Sequence, residues 1–106
     1  MRIQSSHHID SGERQPDGSD DFFYEYDLLV FGDGEQTLVA RSYSDTPSEV
    51  HFLRIEVRSR ARALRQSDFR DALTAEAIRH LRTLGKTEIN WLGGGRYVPV
   101  PNSGDR

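Results

Sequence analysis

Between His51 and Ala63 the chain reads HFLRIEVRSRARA, and this alternation leaves few folds open. Leu53, Ile55 and Val57 fall on one side of an extended strand; Arg54, Glu56, Arg58, Arg60 and Arg62 fall on the other. A period of two makes one face pack on a core while the other meets water. Beyond Ser59 the pattern weakens, because Ala61, Ala63 and Leu64 favour helix. If helix begins there, Arg58, Arg62 and Arg65 cluster at spacings of four and three. In either conformation residues 54–65 carry five arginines against one glutamate. Like charges this dense are unfavourable unless they are solvated or countered.

The neighbouring segments give the strand its company. FFYEYDLLVF, residues 22–31, has strong strand composition, with Tyr24, Tyr26, Leu28 and Val30 on one face and Phe23, Glu25, Asp27, Leu29 and Phe31 on the other. Gly32-Asp33-Gly34-Glu35 supplies a turn, and residues 37–43 return as a second strand, forming a hairpin. Ser44–Glu49 holds Asp45 and Pro47 and reads as the loop into the third strand. Phe69, Ala72, Leu73, Ala77, Ile78, Leu81 and Leu84 recur at helical spacing, which predicts an amphipathic helix over about 68–84. A competing reading puts a short turn first and the main helix at 75–84. Gly85 is placed to end the helix in the left-handed conformation. TEINWL predicts a fourth strand, and RYVPV a short edge strand, since Pro99 cannot sit in a central one.

The expected fold class is therefore α+β: an antiparallel sheet of four or five strands in the order β-β-β-α-β, with one helix packed on one face. The expected core is Leu28, Val30, Val39, Leu53, Ile55, Val57, Leu73, Ile78, Leu81, Ile89 and Trp91. The 106 residues allow one modest core. Residues 1–20, polar and rich in Ser, Asp and Gly, read as a flexible leader, 21–100 as a single domain, and 101–106 as a flexible tail.

Several chemistries find no support in the residues. The chain has no cysteine, so disulfides and thiolate metal sites are excluded. His7 and His8, with Asp10 and Glu13 nearby, match no standard metal spacing. Gly93-Gly94-Gly95 follows a strand and precedes another, so it lacks the strand-to-helix setting of a phosphate loop. No cofactor is expected. No segment approaches about eighteen apolar residues, and the start lacks an apolar signal core, so a cytoplasmic protein is the expectation.

Charge is unevenly spread. Residues 1–50 hold three arginines against eleven acids, while 51–106 hold eleven basic residues against six acids. The halves can neutralise each other within one fold, or the basic surface can face an acidic partner. Thirteen of the fourteen basic residues are arginine, whose planar donors suit carboxylates, phosphates and aromatic faces. The expected function is that of a small non-enzymatic interaction or regulatory domain, self-associating as a homodimer or binding a larger protein. Arg54, Arg58, Arg60, Arg62, Arg65, Tyr24 and Tyr97 form the candidate binding surface. One alternative is nucleic-acid binding through 54–65, against which stand Glu25, Asp27 and the acidic balance of the chain. Another is a small enzyme joining His51 or His80 to a nearby carboxylate, which requires a protected pocket.

Overall fold

The computed structural model describes residues 1–11, 23–93 and 95–101. Among the described residues seven strands, not the expected four or five, form one mixed sheet: β1 (Arg2–Ser11), β2 (Phe23–Gly32), β3 (Gln36–Tyr43), β4 (Glu49–Val57), β5 (Arg60–Arg62), β6 (Glu88–Gly93) and β7 (Arg96–Pro99). Their spatial order is β1-β2-β3-β4-β6-β7. β5 shares an edge of β4 with β6, pairing with Ile55–Val57 while β6 pairs with Glu49–Phe52. A 3-10 turn (Gln66–Arg70) and one helix, α1 (Ala72–Thr83), lie between β5 and β6. The sheet is not wholly antiparallel as expected, because β4 and β6 run parallel. The helical connection carries the chain back to the starting end, which is what a parallel neighbour requires.

The helix agrees with the second of the two sequence readings in kind, a turn first and then the main helix. Leu73, Ala77, Ile78 and Leu81 bury its apolar stripe against the sheet. Gly85 takes φ 86°, and the Lys86 N–H donates to the Leu81 carbonyl at 3.0 Å, closing the helix end.

Two strands bury different residues from those expected. In β2, Leu29 and Phe31 face the helix while Leu28 and Val30 are half-buried on the opposite side. Both faces of β2 are apolar, and pairing with β3 decides between them: Phe31 lies opposite Leu38 and Leu29 opposite Ala40. In β4, Val39 pairs with Arg54 but Ala40 pairs with Phe52. Leu53 is thus the extra residue of a β-bulge, which shifts the alternation by one. Val50 and Phe52 before it, and Ile55 after it, all reach the core, whereas Leu53 is only half-buried.

β4 turns into β5 at Arg58 and Ser59, with φ of 53° and 70°. Val57 pairs with Arg60 across them, so this is a two-residue hairpin with both central residues left-handed. Neither residue favours that conformation, which costs side chains with a Cβ about 1–2 kcal/mol each. The double substitution Arg58→Asn with Ser59→Gly is expected to stabilise the fold by about 1 kcal/mol, read as a higher urea midpoint.

Arg2–Ser11 departs furthest from the sequence reading. It is a strand, not the first half of a flexible leader, and pairs with β2 without a break from Arg2↔Gly32 to Ser11↔Phe23. Residues 12–20 of that leader, Gly94 and residues 102–106 lie outside the described residues. The strand has little apolar content because an edge strand is held mainly by its ladder. Side chains add one clamp: His7 Nδ1 lies 2.6 Å from Asp27 and Nε2 2.7 Å from Glu25. The hydrogen bond to Asp27, then that to Glu25, raises the His7 pKa above its ordinary value. The clamp is fully present below the unfolded value of about 6.5 and is lost as pH rises through the raised folded value. Amide protection factors in β1 should therefore fall relative to β3 across that window, and His7→Gln should remove the pH dependence.

Candidate functional site on the open sheet face

α1 covers one face of the sheet, and no described element covers the other. Register determines what the open face carries. Tyr24, Tyr26, Leu28 and Val30 of β2 alternate outward, as do Thr37, Val39, Arg41 and Tyr43 of β3. β1 adds Gln4, Ser6, His8 and Asp10; β4 adds Glu49, His51 and Arg54; β7 adds Tyr97. These strands bring Tyr43 opposite Tyr26 and Arg41 opposite His51.

The result is a continuous aromatic cluster around one arginine. The Arg41 guanidinium lies 4.8 Å from the centroid of Tyr43 and 5.8 Å from that of Tyr26. On its other side it donates to the Tyr97 hydroxyl at a long 3.4 Å. The Tyr97 ring packs on His51 at 4.4 Å, and His8 stacks on Tyr26 at 5.4 Å. Tyr24 extends the cluster from Tyr43 at 5.9 Å. Contacts of a cation with ring faces hold the guanidinium flat and use none of its N–H donors. Its Nε is buried without a hydrogen-bond partner, and no described carboxylate pairs with it. Arg41 is therefore a preset cation with unmet donor capacity.

The flanks are acidic. The Tyr26 hydroxyl donates to Asp10 at 2.7 Å, which raises the Tyr26 pKa. Glu49 lies 3.5 Å from His51 Nε2. Burial pushes the His51 imidazole below its usual pKa, and its Nδ1 is buried without a partner. At the far end of the same face an open cleft of about 760 Å³ lies over Gln4, Val30 and Thr37, rimmed by Arg2, Glu56 and Arg58.

The residues singled out in the sequence are distributed unevenly. Tyr24 and Tyr97 both belong to the aromatic cluster and bound it on opposite sides. The arginines of 54–65 do not share a face. Arg54 is on the open face and pairs with Glu56 at 3.2 Å. Arg58 occupies the left-handed turn and rims the cleft. Arg60 and Arg62 pair opposite Val57 and Ile55, on the helix side. The Arg62 guanidinium makes two bonds of 2.9 and 2.8 Å to Asp68. Arg65 is exposed just before the 3-10 turn. Of the two candidate catalytic histidines, His51 meets Glu49 outside the 760 Å³ cleft, and His80 packs half-buried beside Phe31 at 6.0 Å. Among the described residues no group of three metal-ligating side chains is gathered, and no helix is long and apolar enough to cross a membrane.

Arg41, and its gathering of Tyr43, Tyr26 and His8 into one cluster, were not anticipated from the sequence. The available signal was the hairpin itself: a turn at 32–35 places Tyr26 across from Tyr43, with Arg41 two residues further on the same face. Comparison with protein-family models, with curated proteins and with solved structures returns no match, so the reading of this face rests on its own geometry.

Proposed function

We propose that the chain is a protein-interaction domain that recognises its partner with the open sheet face. The partner presents a carboxylate, flanked by aromatic or aliphatic side chains, to Arg41. The observation that carries this reading is a guanidinium fixed among Tyr26, Tyr43 and Tyr97 with donors still unmet. Tyrosine and arginine are the residue types that dominate binding energy at protein interfaces. Their mutual contacts order them before binding, which lowers the entropy lost on association. A shallow aromatic surface suits a polypeptide better than a small molecule, which needs enclosure. Asp10 and Glu49 on the flanks disfavour a phosphate backbone and leave Arg41 as the focus for a single acidic group.

Selection of displayed random peptides on the immobilised full chain tests this. The enriched sequences are expected to share Asp or Glu beside apolar residues. Their affinity for the Arg41→Ala variant should fall roughly ten- to hundred-fold, the range for losing hydrogen bonds to a charged group. Peptides that bind the variant equally well would contradict the proposal. So would tight binding of oligo(dT) or oligo(U) at physiological salt, which would assign the aromatic cluster to base stacking.

A further inference from the structure

We propose that two copies of this chain pair edge to edge through β1, antiparallel about a two-fold axis at Ser6, joining their sheets into one. This strand edge borders the open face and shares His8 and Asp10 with it, but the pairing does not depend on that face's assignment. Among the described strands the sheet ends on β1 at one side and on β7 and the three-residue β5 at the other. β7 is four residues long and contains Pro99, a common way of blunting an edge. β1 is ten residues long and has no proline, lysine or bulge. Among the described residues no strand pairs with its outward N–H and C=O groups, which leaves them as a template for another strand.

The sequence of β1 is chemically self-complementary when reversed. About Ser6, Arg2 comes opposite Asp10 of the second copy and Ile3 opposite Ile9. Gln4 then meets His8, and Ser5 meets His7. Arg2 and Asp10 lie on the open-face side, so two ion pairs form there. Asp10 gives one carboxylate oxygen to the Tyr26 hydroxyl and has the other left for the arginine. Ile3 and Ile9 lie on the helix side, exposed by 37% and 58%, and each would cover the other. No other register does both. A slip of two residues sets Ile3 against His7 or Ile9 against Ser5 and separates the charges, and a slip of one turns the faces over. An isologous contact of this kind closes as a dimer.

The chain contains no cysteine, so single thiols report the register directly. Light scattering of the wild type is expected to give the mass of a dimer. Under mild oxidation Ser6→Cys should form a disulfide-linked dimer, because the two positions face each other. Gln4→Cys alone should not, since its two copies stand about 13 Å apart. An equimolar mixture of Gln4→Cys and His8→Cys should cross-link. Arg2→Asp or Asp10→Arg should raise the dimer dissociation constant roughly ten-fold or more, and the double swap should recover it. A monomer at all concentrations up to about 0.5 mM would overturn the proposal. So would cross-linking of Gln4→Cys as fast as Ser6→Cys, or charge swaps that leave a dimer unaffected, either of which would move the contact to another register or surface.

Discussion

Replacing Phe52 with alanine is expected to destabilise the fold by about 3–5 kcal/mol, whereas Leu53→Ala should cost about 1 kcal/mol. Unbroken alternation from Leu53 to Val57 predicts the reverse order, so the pair of variants tests the bulge directly. Phe52 is fully buried on the central strand, with Ala40 beside it on β3 and Trp91 on β6. Its ring meets Phe69 at 6.4 Å, and Phe69 meets Trp91 at 5.1 Å. This aromatic trio joins the sheet centre to the 3-10 turn, and truncation leaves a cavity that a sheet on one side cannot close. Since small domains are stable by only about 5–15 kcal/mol, the loss is a large share of the total. Urea unfolding followed by circular dichroism gives both values, with equal m-values required for the comparison.

Asp68→Asn is the second large effect, expected at about 3 kcal/mol. The Asp68 carboxylate is buried and accepts two bonds from Arg62 and a third, of 2.6 Å, from the Arg65 backbone N–H. The amide can satisfy at most part of this set and leaves a half-buried guanidinium without its counter-charge. The Arg62 guanidinium holds the Asp68 pKa below the usual carboxylate range, despite an opposing contribution from burial. A folded value below the unfolded one gives stability that is present above about pH 4 and lost as pH falls through the folded value. Wild type and variant should therefore converge in stability towards low pH, as measured by thermal unfolding from pH 7 downwards. Arg62 thus has a structural partner, which a charge count over 54–65 cannot reveal.

Much of the architecture was legible because its signals are local. The Gly32–Glu35 turn, the apolar stripe of α1, Gly85 and the Pro99 edge each follow from a few adjacent residues. What escaped was decided by pairing. Leu28 and Leu29 are equally apolar, and only the register with β3 selects Leu29 for the core. The bulge at Leu53 breaks a periodicity that looks perfect in one dimension. Arg58-Ser59 turns a hairpin without the Asn-Gly that usually marks one. RIQSSHHID has only two apolar residues, six apart, so nothing in its composition signals a strand. The same reasoning applies to the candidate site. Tyr24 and Tyr97 were visible as exposed-type aromatics, but their common neighbour Arg41 lies alone among acids in the sequence. It becomes prominent only when three strands and β7 assemble around it.

The central claim, that the open sheet face is the recognition surface, is tested most directly by amide shift mapping on the full chain with one of the selected acidic peptides. Shifts concentrated at Tyr26, Arg41, Tyr43, His51 and Tyr97, sparing α1 and absent with Arg41→Ala, are the predicted result. Shifts centred on α1, or on Arg58–Arg65, with the Arg41 region unmoved, would contradict it.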